Sequence, residues 1–292
     1  MLSFLATIVC TVLIFLLFSS FKRWGIQTDS AITLNYFVAA SLGWSLAGGA
    51  DAVQACIQAS WILPLSAIGI FFYPLFRLTA TCSQELGISV ATIATKLSMA
   101  IPVLVLALAD GIHHIHWGQW LGISLAFPAV YLSSRSSKFT PSSATSIRNL
   151  WWIPFVMFAG SGCIDLVFGW FSTDPNLAVP GMQMAFASVP FTLGGLVGLL
   201  HQVQVGFKWP SIRDILGGLL LGVANFGSLY FLLIAFKVQM MERAMVIPLL
   251  NLSVIVLATL AGAILLHDRP NKQARWGVAL ATTAIGLMMI FG

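Results

Sequence analysis

Residues 93–108 read "IATKLSMAIPVLVLAL", an apolar run broken by one lysine, Lys96. With its flanks, residues 88–109, the run is long enough to cross a bilayer, which takes about 20 mostly apolar residues. A charged side chain at bilayer depth costs about 2.5–3.5 kcal/mol on insertion scales. Such a residue is normally held by a partner or lines a pathway, so Lys96 is where the functional reading begins.

Working outward, the same character fills the chain. Of its 292 residues 59% are hydrophobic and 8% charged, with a mean hydropathy of +0.94. Soluble domains carry about 25% charged residues, so an all-α integral membrane protein is expected. Apolar runs predict ten transmembrane helices, over 2–20, 31–48, 61–79, 88–109, 119–134, 150–171, 179–200, 214–236, 243–266 and 276–291. Trp24, Trp61, Trp117, Trp120, Trp151, Trp152, Trp209 and Trp276 fall near the ends of these runs, where indoles anchor at the interface. The first run lacks a basic leader and a small-residue cleavage site, and is expected to be retained as a span.

One long polar stretch, "SSRSSKFTPSSATSIRN" (133–149), divides the chain into five spans and five. The expected organisation is a first five-helix repeat over 1–134, a polar basic linker over 135–149 and a second repeat over 150–292. A shift of 155 residues lays Lys96-Leu97-Ser98 on Asn251-Leu252-Ser253, Leu121-Gly122 on Trp276-Gly277 and His113 on Asp268. An odd number of spans per repeat makes the second copy enter the membrane inverted. Inverted repeats characterise secondary transporters, whose substrate sites lie near the midplane between the halves.

Loop charge speaks to orientation. Odd-numbered loops hold Lys22, Arg23, Arg135, Lys138, Arg148, Lys208, Arg213, Arg269, Lys272 and Arg275, against Lys237 and Arg243 in even-numbered ones. By the positive-inside rule the odd loops are cytoplasmic and both termini outside. No basic run is long enough for a nucleic-acid patch.

Within the spans the clear cation is Lys96 and the clear anion is Asp165, in "GSGCIDLVFGW". Together they are expected to line one cavity, Lys96 receiving an anionic group and either residue coupling transport to protons. A structural ion pair that only fixes helix packing is the alternative. Arg77, near a span end, is expected to snorkel or to pair with Glu85. Asn35, Tyr36, Asn225 and Asn251, with Ser98 and Tyr230, complete the candidate substrate site; each amide alone favours an interhelical hydrogen bond, and the set at similar depth favours a polar cavity. Phe71, Phe72, Tyr73 and Phe226 are candidate walls. Gly218-xxx-Gly222, Gly194-xxx-Gly198 and Gly160-Ser161-Gly162 allow close helix approach. Cys10, Cys56, Cys82 and Cys163 show no ligand spacing and read as small packed hydrophobes. His113, His114 and His116, near Asp110, read as interfacial loop residues, with a pH-sensitive gate as the other option. No catalytic, metal or cofactor motif occurs.

The stretches "SQELGISVATIATKLSMAIPVLV" (83–105) and "VIVLATLAGAILLHDRPNKQARWGVALATTAIGLMMI" (254–290) carry a resemblance along nearly the whole chain. It resembles the EamA-like members of the drug/metabolite transporter superfamily, ten-span proteins built from two five-span repeats. His267-Asp268-Arg269 stands where that family usually shows a Gly-Glu-Arg-like turn. The matching turn of the first half departs from it, with His113-His114 in place and Asp110 three residues earlier. The resemblance implies a small-metabolite carrier in the inner membrane, often an exporter, with both termini cytoplasmic, against the loop charges.

The expected function is therefore a secondary carrier of a small zwitterionic or anionic metabolite, working by alternating access with protons as the candidate coupling ion. A passive uniporter of the same fold and a membrane-embedded enzyme on a lipid-like substrate are the alternatives. The enzyme would need clustered acids or histidines at one interface, and only Asp110 with the three histidines offers that.

Overall fold

The computed structural model describes all residues except 1, 49, 111–115, 135–149, 172–173, 180, 238–242, 269 and 292. The described residues form helices α1 (Leu2–Trp24), α2 (Thr28–Ala47), α3 (Ala50–Gln58), α4 (Ile62–Glu85), α5 (Ile88–Lys96) and α6 (Ala100–Asp110). They continue with α7 (Trp117–Ser134), α8 (Ile153–Phe171), α9 (Met182–Gly206), α10 (Ile212–Lys237), α11 (Arg243–Leu265) and α12 (Lys272–Ile290). A 3₁₀ turn, Leu97–Met99, joins α5 to α6, and another, Pro175–Ala178, precedes α9.

Every expected apolar run is covered by helix. Among the described residues, seven helices are long and apolar enough to cross a membrane: α1, α4, the continuous α5–α6 segment, α8, α9, α10 and α11. The runs at α2, α7 and α12 fall short of that standard, because they carry Asp29, Thr33, Asn35, Gln119, Gln273 and Arg275 among their apolar residues. Their packing explains the tolerance. α2 is flanked by α9 and α10, and α7 and α12 lie against each other, so much of their surface meets protein. The short helix α3 was not foreseen; it packs on α9 and α4.

Glycine sets the closest contacts. A Cβ on Gly218 would lie 2.6 Å from Leu34 Cβ and 3.0 Å from the Ala31 carbonyl, and one on Gly222 would lie 2.9 Å from the Asn35 carbonyl. The Gly218-xxx-Gly222 stripe thus admits the α2 backbone. At the α7–α12 crossing the contacts are reciprocal: Gly122 faces Ala284 and Met288, while Gly277 faces Ala129 and Ser133. In each case the partners stand seven and eleven positions beyond the glycine of their own helix, and Gly122 and Gly277 are 155 positions apart.

The larger interfaces follow the same exchange. α1 packs on α10 and α11, while α8 packs on α4 and on α5–α6. α2 packs on α10, while α9 packs on α4; the pairs α2–α9, α5–α11 and α7–α12 join the halves directly.

One end of the bundle is tied by polar contacts. Lys22 Nζ meets Glu85 Oε1 at 2.7 Å and Arg77 Nε meets Asp29 Oδ1 at 2.8 Å, so Arg77 pairs with α2 and not with Glu85. The Gln27 backbone N–H donates to Asp214 Oδ1 at 2.6 Å. α11 ends with His267 in the left-handed region (φ 56°) and the Asp268 N–H donating back to the Gly262 carbonyl at 2.9 Å. That turn aims Asp268 at the start of α5, where Oδ2 accepts from the Ile88 N–H at 2.9 Å. The carboxylate caps a helix of the other half. Gly87, at φ 110°, supplies the preceding conformation that a side chain rarely adopts.

The tryptophans divide. Trp24, Trp117, Trp151, Trp152, Trp209 and Trp276 are exposed as interfacial anchors require, and Trp120 is half-buried. Trp61 is a correction: it is fully buried, edge-on to Phe186 at 5.1 Å between centroids.

Candidate functional site

Lys96 is the last residue of α5, and the helix changes hand-hold immediately after it. Pro102 lacks the N–H that would bond the Ser98 carbonyl four residues earlier, so a continuous α-helix loses a bond here and the Leu97–Met99 turn tightens to 3₁₀. Lys96 itself is half-buried.

The turn meets α8 and α11. Ser98 Oγ lies 2.9 Å from Asp165 Oδ2 on α8 and 2.6 Å from the Thr95 carbonyl. Asn251 on α11 donates from Nδ2 to Met99 Sδ at 3.3 Å. Lys96 and Asp165 act on each other electrostatically, but the direct ion pair is not formed. Among the described residues the pairs within contact distance are Lys22–Glu85 and Arg77–Asp29. Asp165 is exposed although it lies deep in its helix sequence, which suits a group facing a cleft rather than hydrocarbon.

The remaining candidates do not join this group. Asn35 and Asn225 are buried and their amides meet 3.1 Å apart, tying α2 to α10. Turning the Asn35 amide also brings its NH2 to the Leu221 carbonyl at 3.2 Å. Tyr36 is fully buried, donates to the Phe72 carbonyl at 2.8 Å and packs among Phe72, Phe76 and Phe191. Tyr230 is half-buried and stacks on Phe226 at 5.7 Å. Tyr36 belongs to the hydrophobic core built mainly on α1, α2, α4, α9 and α10, with Tyr230 packed against it, and the Asn35–Asn225 contact joins two of the same helices. The shared polar cavity expected for all of them resolves into two groups: an interhelical clamp at Asn35–Asn225, and a polar junction at Lys96, Ser98, Asp165 and Asn251.

Sequence reasoning missed a further polar cluster. Tyr73 Oη and His201 Nδ1 lie 3.0 Å apart across α4 and α9, beside the Arg77–Asp29 pair. His201 ends an apolar run in "GLLHQVQVG" and reads there as a loop-edge residue. The available signal was Tyr73, one turn before Arg77 on the same helix. His113, His114 and the linker 135–149 lie outside the described residues, as does the side chain of Asp110; His116 stacks on Phe291 at 4.6 Å. Among the described residues no three or more His, Cys, Asp or Glu side chains are grouped to hold a metal ion.

No family model matches the chain. It is 24% identical over 285 residues to an uncharacterized protein of Haemophilus influenzae, covering 95% of this chain and 94% of that one. A protein of known crystal structure is similar over 97% of both chains, at 15% identity and a TM-score of 0.54. The second likeness speaks to the fold alone.

Proposed function

We propose that the protein is a ten-span secondary carrier of the drug/metabolite transporter type, built from two inverted five-helix repeats, rather than an enzyme. It moves a small zwitterionic or anionic metabolite across the inner membrane by alternating access. The observation that carries this reading is the polar junction at the broken helix: Lys96 at the end of α5, Ser98 in the 3₁₀ turn, Asp165 on α8 and Asn251 on α11. Interrupted helices near mid-membrane are where carriers bind polar cargo, because the freed backbone and the helix ends face a cavity.

Two observations support the inverted repeat. The reciprocal contacts of Gly122 and Gly277 suit a two-fold axis between α7 and α12 at the 155-residue offset. The exchange of α1, α2, α4, α5–α6 and α7 for α8, α9, α10, α11 and α12 also maps the larger interfaces onto one another. The turn after α11 supports the family resemblance: His267 holds the left-handed conformation that glycine favours, at the place of the family's glycine, and Asp268 stands for its acid.

Hydrogen counting supports Asp165 as a proton site. Ser98 has one hydroxyl hydrogen and two oxygen neighbours, the Thr95 carbonyl and Asp165 Oδ2. An ionised carboxylate only accepts, so one contact would lack a hydrogen. With a proton on Asp165, the carboxyl donates to Ser98 and Ser98 donates to Thr95. Release of that proton frees a carboxylate beside Lys96, the position in which proton and cargo exchange can be linked. Basic residues Lys22, Arg23, Lys208, Arg213, Lys272 and Arg275 flank the tied end of the bundle, and by the positive-inside rule this supports a cytoplasmic tied end with both termini external, against the resemblance, which implies both termini cytoplasmic.

The test is a thermal-shift screen of purified wild type and Lys96→Met against amino acids and small carboxylates at two pH values. Binding stabilises the folded form by mass action. A compound that shifts wild type and not the variant supports the reading. Equal shifts for both proteins, or none with a grossly destabilised variant, overturn it.

A further inference from the structure

At the tied end of the bundle, α2 and α4 of the first half meet α9 of the second through a chain of side chains. Gln202 Nε2 donates to Thr33 Oγ1 at 2.7 Å, and Thr33 donates to the Asp29 carbonyl at 2.9 Å. Arg77 holds the Asp29 carboxylate. Tyr73 Oη sits 3.0 Å from His201 Nδ1 and also faces the Asp29 carboxylate and the Thr33 hydroxyl. Tyr73 and Thr33 are buried, His201 is half-buried, and Asp29 and Arg77 reach the exposed surface. A polar route therefore runs from water through Asp29 and Tyr73 to an imidazole between the two halves.

We propose that Asp29, Tyr73 and His201 form a proton-loading lock that holds α9 against α2 and α4 when His201 is charged. The inference rests on the carrier reading only for its purpose; the lock itself stands on the geometry. With neutral His201, Tyr73 donates to Nδ1, and this bond between α4 and α9 is a neutral one. With the imidazolium, Nδ1–H donates to the Tyr73 oxygen, and the Tyr73 hydroxyl turns to the Asp29 carboxylate. The bond that crosses between the halves then becomes charge-assisted, roughly twice as strong. Imidazole is the side chain suited to this change between about pH 5 and pH 8.

The groups facing His201 are few. α2 contributes Asp29, and α4 contributes Tyr73 and Arg77; Tyr36 is spent on the Phe72 carbonyl. Asp51 on α3 and Asp174 beside the second 3₁₀ turn lie at the opposite end of α9, near its start. Arg77 is already paired with Asp29, so a new cation on His201 meets a pair that is neutral as a whole.

The test is a distance measurement between nitroxides at Thr81→Cys on α4 and Val205→Cys on α9, in full-length protein carrying Cys10→Ser and Cys163→Ser. In wild-type background the distribution is short and narrow at about pH 5.5 and gains a longer population at about pH 8. His201→Gln gives one distribution at both values, and Tyr73→Phe loses most of the pH response while remaining folded. His267→Gln, on an exposed turn, keeps it. No pH response in the wild-type background, a response of opposite sign, or a response that survives His201→Gln each overturns the lock. The measurement needs no substrate. A carrier reading that fails its binding screen therefore leaves this result standing, and a failed lock leaves substrate binding untouched.

Discussion

Replacing Gly122 by alanine tests the α7–α12 crossing on which the repeat reading rests. A Cβ at Gly122 would stand 2.7 Å from the Ala284 carbonyl oxygen and 2.8 Å from Met288 Cγ. Ordinary contact begins near 3.4 Å, so 3.4 less 2.7 requires the helices to part by about 0.7 Å. The Met288 side chain can turn aside, but the carbonyl belongs to the α12 backbone and cannot. Overpacking of this kind costs about 1–3 kcal/mol, and a hard backbone contact belongs in the upper half of that range. Alanine in place of a mid-helix glycine returns about 0.5–1 kcal/mol. The net loss for Gly122→Ala is about 1–2 kcal/mol. At Gly277 the approach is 3.1 Å to Ser133 Cβ and 3.2 Å to the Ala129 carbonyl, a shift of about 0.3 Å. There the overpacking is small enough for the helix gain to cancel it, and Gly277→Ala is expected to be near neutral. Once Gly122→Ala has parted the pair, the second methyl fits without further movement, so the double variant is no less stable than Gly122→Ala alone. Thermal unfolding of the detergent-purified protein reads this as a loss of roughly 3–6 °C for Gly122→Ala and for the double variant. A larger loss at Gly277 than at Gly122, or a double variant clearly less stable than Gly122→Ala alone, would refute the reciprocal crossing.

Three further outcomes follow from particular contacts. A double-mutant cycle of Asn35→Ala and Asn225→Ala is expected to give a coupling of about 0.6 kcal/mol, and at most about 1.7, from unfolding titrations; zero coupling would show that the two amides do not meet. Asp268→Ala removes the cap of α5 and is expected to cost about 0.5–2 kcal/mol, with Asp268→Asn costing less because its amide oxygen still accepts. Equal losses from the two substitutions would point to charge rather than capping. Ser98→Ala keeps the fold but strips Asp165 of its hydrogen-bond partner, so ligand affinity should acquire a different pH dependence from wild type. Superimposable affinity–pH curves would separate Ser98 from the site.

Much of the helix order was legible because lipid-facing helices must be apolar around most of their circumference, and α1 and α11 announce themselves that way. α2, α7 and α12 were also visible as apolar runs, but their polar residues have meaning only once their neighbours are known. Asn35 illustrates the limit: a buried amide in a span looks the same whether it awaits a substrate or, as here, meets Asn225. Trp61 shows the same limit for aromatics, since an indole near a span end is equally an anchor or a core plug until α3 and Phe186 are seen around it. The break after Lys96 left only a faint trace in Pro102. His201 left less, because the partner that gives it a role, Tyr73, lies 128 positions away.

Lys96 returns as the test of how such a residue is tolerated. An insertion cost of about 2.5–3.5 kcal/mol calls for a compensating partner. A closed ion pair with Asp165 would be the simplest remedy, yet the carboxyl is turned to Ser98 instead. A pair sealed within the protein would have little reason to release either partner, because breaking it strands an uncompensated charge at a cost of about 3–5 kcal/mol. Two groups held apart, one at a helix end and one on a serine, each keep an open coordination site. Under the carrier reading that separation is the functional arrangement: the cost at Lys96 is met by the anionic group of the cargo.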